Sequence, residues 1–201
     1  YARDRKRFIL FGSGRTVDAE TRRRRAQSLL ESLLTLGPTF IKLGQLLSTR
    51  PDVLPPEYIE EFEELQDRVP PAEWADAKRV LEEDLGPVEE AFDEFDTDAI
   101  SGASLGQVHV AELDGEEVAV KIRRPGVESL VEADLWVIST LLPLLMRFVD
   151  DSRSFSMETL ANEFSRVIRD EMDYRREREM LREIRANFEG DDRLRIPAVY
   201  E

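Results

Sequence analysis

Lys121 ends an apolar run, Val118-Ala119-Val120-Lys121, and shortly before it the chain passes through a turn of small residues, Ser101-Gly102-Ala103-Ser104-Leu105-Gly106. Small side chains let a backbone approach a polyphosphate closely, and a lysine on a neighbouring strand supplies a compact positive charge to meet it. Val108 follows Gly106 by two, where an apolar side chain can rest against a nucleotide base. The chemistry favoured by these types in this order is the binding of ATP or a related nucleotide. Taken alone the turn is weak evidence, since Gly and Ser also populate ordinary turns between strands.

The elements around it raise its weight. Asp114-Gly115 is a preferred two-residue hairpin signal, flanked by Val108–Leu113 and Glu117–Ile122, which read as paired strands. Val118 and Val120 then share one face, and Lys121 takes the other with Ala119. A lysine inside an apolar strand costs desolvation unless an anion meets it; the plain alternative is an outward, snorkelling side chain. Lysine is scarce here: of 28 basic residues only Lys6, Lys42, Lys78 and Lys121 are lysine, so a retained one is informative.

A second lysine lies in Phe40-Ile41-Lys42-Leu43-Gly44-Gln45, on a helix expected from Pro38-Thr39 to about Thr49. Gly44 there either belongs to a motif or lets another helix pack closely, at about 1 kcal/mol of helix propensity against alanine. Further on, Glu171, Asp173 and Glu177 fall within one long helix expected over residues 157–188. At about 100° per residue, Glu171 and Glu177 would stand roughly 120° apart and could address lysines from two directions. Arg169, Arg175, Arg176, Arg178 and Arg182 surround them, so a solvated, self-paired helix face is the competing account.

The order of loop, hairpin and strand lysine resembles the opening of a protein kinase, with Gly106 kept as the third glycine of G-x-G-x-x-G-x-V and Ser101 and Ala103 at the first two. Lys42-Leu43-Gly44-Gln45 resembles the K-x-G-Q signature of the UbiB (aarF-domain or ADCK) family of protein-kinase-like proteins. Leu46 to Pro55, Leu65-Gln66-Asp67-Arg68-Val69-Pro70 and Glu171-Met172-Asp173-Tyr174-Arg175-Arg176-Glu177, an E-x-D-Y-x-R-E match, resemble the same family. The likeness runs from about Leu36 onward.

The resemblance implies an α+β fold: a protein-kinase-like small lobe, antiparallel sheet plus helix, with a large N-terminal helical extension and an inserted helix. It divides the chain into residues 1–95, the extension with K-x-G-Q, and 96–201, the lobe, ending before the hinge and second lobe. It implies ATP or ADP with Mg as cofactor, bound by Ser101, Gly102, Ala103, Ser104, Gly106, Val108, Ala119 and Lys121, with Glu177 as partner of Lys121. It implies that Lys42, Gly44 and Gln45 lie across the pocket mouth, with Lys42 held by Glu171 of the Glu171/Asp173 pair, which argues against ordinary protein phosphorylation. No D-F-G occurs, so the catalytic and metal-binding aspartates are expected beyond Glu201 and no metal ligand within the chain. Ile196 to Glu201 reads as a further strand of the lobe, and the chain as part of a longer protein.

Composition sets outer limits. Of 201 residues, 41% are hydrophobic, enough for a sizeable core. A net charge of −15 disfavours nucleic acid, and the basic run Arg22 to Arg25 is flanked by Glu20 and Glu31, as befits one helix face. One histidine, His109, and no cysteine exclude His/Cys zinc sites and a Cys-His nucleophile pair. Acidity with arginine in place of lysine points to a high-salt organism or to a GC-rich genome. Helix signals cover Asp18–Leu36, Pro56–Gln66, Pro71–Leu85, Val88–Phe95 and Gly126–Val149, the last as one helix or as two broken at Pro143. Leu135 to Val149, the most apolar stretch, is too short and too interrupted to cross a bilayer and reads as buried core. With no signal peptide visible, a cytoplasmic location is expected, with any membrane association through regions outside this chain.

Two functions stay open. One is an ATP-dependent, kinase-like ATPase that by resemblance supports isoprenoid-quinone or lipid biosynthesis beside membrane-associated lipid or quinone-pathway proteins. The other is a pseudokinase scaffold whose ion pairs are structural and whose output is partner binding.

Overall fold

The computed structural model describes residues 18–66, 69–146, 151–191 and 193–200. The chain opens with three packed helices. Asp18 caps α1 (Ala19–Leu36) by accepting from the Thr21 N–H, and Gly37, at φ +99°, ends it where an L side chain would be strained. Pro38 then starts α2 (Pro38–Ser48), and a second proline bend leads to α3 (Pro56–Glu63), which tightens into a 3-10 turn, Glu64–Gln66. Leu30 and Leu33 of α1, Ile41 and Leu47 of α2, and Tyr58, Phe62 and Leu65 form one apolar core. Arg22 and Arg23 of the basic run pair with Glu57 and Glu61, binding α1 to α3.

The sheet is antiparallel throughout. β3 (Gly106–Leu113) pairs along one edge with β1 (Glu94–Phe95) and β2 (Ser101–Gly102), and along the other with β4 (Glu116–Arg123). Asp114 at φ +53° and Gly115 at φ +77° make the tight turn expected between β3 and β4. In this register Val108 faces Lys121 and Val110 faces Ala119, while Gln107, His109 and Ala111 face Ile122, Val120 and Val118. The second set is covered by α4 (Trp74–Leu85) and α5 (Val88–Ala91), through Trp74, Ala77, Leu81 and Val88, with Phe95 of β1 beside them. The rear of the sheet is thus sealed by the part of the chain just before it. His109 is fully buried there beside the rings of Trp74 and Phe95, its Nδ1 donating to the Asp96 carbonyl at 2.9 Å.

Three expectations are corrected. The helix read over Val88–Phe95 stops at Ala91, because the Asp93 N–H turns to the Glu112 carbonyl and Glu94–Phe95 joins the edge of β3. The single helix over 157–188 is two: α7 (Asp151–Met172) and α8 (Tyr174–Asn187), parted at Asp173, which caps α8 by accepting from the Arg175 N–H. Ile196–Tyr200 form no strand and find no pairing partner among the described residues; Glu201 lies outside them.

α6 (Val127–Met146) continues through Pro143, giving up there the N–H that would have donated to the Ser139 carbonyl. Val127, Val131 and Leu135 of α6 meet Phe164, Ile168 and Met172 of α7, with Leu43 and Leu46 of α2. The reading of Leu135–Val149 as buried core holds for Leu135 alone among its apolar side chains up to Leu144. Trp136 is 68% exposed and Val137, Leu141 and Leu144 are exposed with it, because only one face of α6 meets α7 and α2. Residues 147–149 lie outside the described residues. No described helix is long and apolar enough to cross a membrane.

Candidate functional site

The small-residue turn joins β2 to β3 and is closed by the Ala103 N–H donating to the Gly106 carbonyl at 2.8 Å. It is packed inward rather than raised over solvent. Ser104 and Leu105 are buried, and Leu105 enters the cluster formed by α6 and α7, while Ser101 and Ala103 stay exposed. A Cβ on Gly102 would lie 2.5 Å from the Val69 carbonyl oxygen and 2.8 Å from the Pro71 nitrogen. One on Gly106 would overlap the Tyr174 hydroxyl and the Ile122 carbonyl oxygen. Both glycines therefore answer to the protein's own close approach.

The sheet face opposite α4 displays Val108, Val110, Ala119 and Lys121. Lys121 Nζ stands 2.6 Å from Glu177 in the first turn of α8 and 4.5 Å from the ring centroid of Tyr174. The lysine is both paired and open to solvent: its side chain is 42% exposed and that of Glu177 50%. Among the described residues the ammonium meets Glu177 and Tyr174 of α8, and water still reaches the charge.

Lys42 reaches Glu171, at the end of α7, at 2.5 Å, and its side chain is 20% exposed. Gly44 is buried, with Leu65 and Leu33 where its Cβ would be. Gln45 donates to the Leu65 carbonyl at 3.2 Å, tying α2 to the 3-10 turn rather than reaching the loop. The route from α2 to the loop is apolar, through Leu43, Leu46 and Leu105. Thr39 adds a polar tie, donating to Asp134 of α6 at 2.5 Å.

The arrangement thus brings the loop, Val108, Ala119, Lys121 and Glu177 to one side of the sheet, and Lys42 and Glu171 to the junction of α2 with α7. Four residues that sequence reasoning assigned no role also belong here: Leu105, Gln107, Arg124 and Tyr174. Tyr174 lay inside the matched E-x-D-Y segment, and Arg124 inside Arg123-Arg124-Pro125-Gly126, whose turn chemistry was a readable signal. Burial, then the nearby Glu177, pushes the Tyr174 phenol up to about 12, and its hydroxyl is buried without a hydrogen-bond partner among the described residues.

A cavity of about 590 Å³ opens beside Lys121 and Tyr174, which line it together with Leu81 and Asp84 of α4, Glu132 of α6 and Arg169 of α7. None of the loop residues lines it. Arg169 and Glu132 neutralise one another across it at 2.7 Å. Among the described residues no group of three or more His, Cys, Asp or Glu is placed to hold a metal ion.

The model of the ABC1 atypical kinase-like domain family matches residues 64–201. The probable protein kinase UbiB of Aeromonas salmonicida is 44% identical over 168 residues, 82% of this chain and 31% of that protein. The protein ACTIVITY OF BC1 COMPLEX KINASE 8, chloroplastic, of Arabidopsis thaliana is 40% identical over 200 residues, 97% of this chain and 26% of that protein. The chain spans about a third or less of the length of these relatives. The structure of a complex of Rv3197 with erythromycin from Mycobacterium tuberculosis superposes with a TM-score of 0.58 at 30% identity, covering 91% of this chain and 47% of that one.

Proposed function

The chain belongs to the ABC1 atypical kinase-like family, and from that premise we propose that it is the ATP-binding portion of an atypical kinase or ATPase serving isoprenoid-quinone or lipid biosynthesis. The observation that carries the reading is the cross-strand pair Val108 and Lys121, an apolar platform and a cation side by side on the sheet face left open by α4 and α5. A nucleoside polyphosphate needs both, a dry surface for its base and a positive charge for its phosphates. Val108 and Ala119 would receive the base. Lys121, oriented by Glu177 and Tyr174, would meet the phosphates beside the exposed Ala103. Mg²⁺ would arrive with the polyphosphate as its counter-ion, and the bound nucleotide would supply the transferable phosphoryl group. The relatives named as probable protein kinases support a nucleotide, and the quinone or lipid assignment follows from the motif resemblance to the UbiB family.

A scaffold is the second reading. It is favoured by one observation: Lys42 and Lys121 are both already matched by glutamates, and such pairs hold α2 to α7 and β4 to α8 without any ligand.

The deciding experiment is the thermal shift of the full-length protein with Mg-ATP and Mg-ADP, beside Lys121→Ala. A ligand present at about 100 times its Kd adds roughly 2.7 kcal/mol of stability, well within reach of the measurement. A rise that the variant loses is expected. No rise in either protein would overturn the nucleotide reading and leave the scaffold.

A further inference from the structure

Arg124 closes a three-way junction that the nucleotide reading leaves unused. It follows β4 directly, and its N–H donates to the Leu105 carbonyl at 2.8 Å. Its Nη2 reaches the Pro70 carbonyl at 2.5 Å and the Ala103 carbonyl at 3.5 Å, so one guanidinium spans the loop and the segment before α4. Two further contacts run between the same parties: the Ala72 N–H donates to Gln107 Oε1 at 2.7 Å, and Gly102 lies hard against Val69 and Pro71.

The chemistry of this position is unlike that of the other arginines. Most of the paired ones meet carboxylates, whereas Arg124 meets two backbone carbonyls and has no carboxylate beside it among the described residues. Its Nε is buried without a hydrogen-bond partner among the described residues, and burial lowers the guanidinium below its ordinary pKa. A cation kept half-buried against its own solvation is costly, and here it is offset through one nitrogen, Nη2, which donates to the Pro70 carbonyl with the Ala103 carbonyl at 3.5 Å. Carbonyls, unlike carboxylates, are main-chain groups, so this contact fixes the path of the backbone itself.

We propose that Arg124 is the positioning residue of the nucleotide loop, a clamp through which residues 69–72 of the helical extension set the conformation of the Ala103–Gly106 turn and thereby regulate polyphosphate binding. The proposal rests on the nucleotide reading above. The loop is held from behind by the extension, while its exposed side, Ser101 and Ala103, faces the site. Any event that draws Pro70 away from Arg124 loosens the turn, and by reciprocity a nucleotide that orders the turn tightens the hold on residues 69–72.

The test uses full-length protein, with hydrogen exchange of a peptide carrying the Ala72 amide, since Pro70 and Pro71 have no N–H, and of one spanning residues 102–106, and calorimetric titration with Mg-ATP and Mg-ADP. Arg124→Gln is expected to speed exchange in both peptides by about tenfold or more, the loss of one charge-assisted hydrogen bond, and to weaken nucleotide by a similar factor. Exchange in α1 to α3 stays at the wild-type rate, and Arg124→Lys restores part of both effects. Lys121→Ala is the control that loses nucleotide while keeping slow exchange in the 102–106 peptide. Unchanged exchange, exchange raised uniformly through α1 to α3, or raised loop exchange with unchanged affinity would each overturn the clamp. If Arg124→Gln does not fold, Arg124→Lys against wild type decides by the same criteria. Wild-type protein that takes up neither nucleotide sinks the nucleotide reading and with it the regulatory half of the proposal; the exchange pattern then still decides whether the turn is held by Arg124.

Discussion

Glu171 and Glu177 hold Lys42 and Lys121 from two different helices: Glu171 is in the last turn of α7, Glu177 in the first turn of α8, and Asp173 stands at the break between them. One segment of seven residues therefore addresses two lysines of the chain through a change of helix axis rather than through angular spacing on one axis.

Because the two pairs share no partner, their effects should add. Glu171→Gln and Glu177→Gln are each expected to lower stability by less than about 1 kcal/mol, since both pairs keep substantial exposure. The double variant should equal the sum within about 0.5 kcal/mol. Denaturant unfolding of the four proteins checks this, and a coupling well above that margin would show that the pairs act as one network.

Asp173 has a different duty. As the cap of α8 it fixes where Glu177 begins, so Asp173→Ala should cost about 1 kcal/mol and also loosen the hold on Lys121. Asp173→Asn, which keeps a capping oxygen, should retain both. Melting curves with nucleotide titration separate the two variants; equal behaviour would remove the cap from the account.

Gly44 is expected to be required by packing. In Gly44→Ala the new methyl meets Leu65, which is fully buried, and Leu33, so overpacking of about 1–3 kcal/mol outweighs the roughly 1 kcal/mol gained in helix propensity. A variant that melts at or above the wild-type temperature would show that α1 and the 3-10 turn yield easily.

Tyr174 gives a pH signature. Its phenol ionises near 10 in an unfolded chain and at about 12 when folded, so the stability it contributes is whole below pH 10 and is lost as pH rises toward 12. Tyr174→Phe should abolish that part of the decline. It should cost little at neutral pH, because the hydroxyl it removes is buried and unpartnered. Stability measured from pH 8 to 12 in both proteins, with Tyr58 and Tyr200 common to each, isolates the difference.

Much of the local structure was legible because its causes are local. Asp18 and Gly37 mark the ends of α1, Pro38 and Pro56 start α2 and α3, Gly86 stops α4, and Asp114-Gly115 turns the hairpin, each through the conformational preferences of the residue itself. The period of two along β4 likewise placed Ala119 and Lys121 on one face. The break at Asp173 was misread because Asp is tolerated inside helices as well as at their starts, and the heavy run of arginines and glutamates after it continues the helical pattern.

What the amino-acid sequence determined by itself was a set of elements, their faces and the motif resemblance to a kinase-like family. Only the tertiary structure decided that Lys42 meets Glu171 while Lys121 meets Glu177, that Leu105 anchors the loop in the helical body, that the loop glycines are needed for contact with Val69, Pro71 and Tyr174, and that Arg124 joins Pro70 to Ala103. Those relations link residues tens of positions apart in the chain. Periodicity and turn preference act over a few residues, whereas the choice among several equivalent arginines, glutamates and glycines is made by which surfaces pack together.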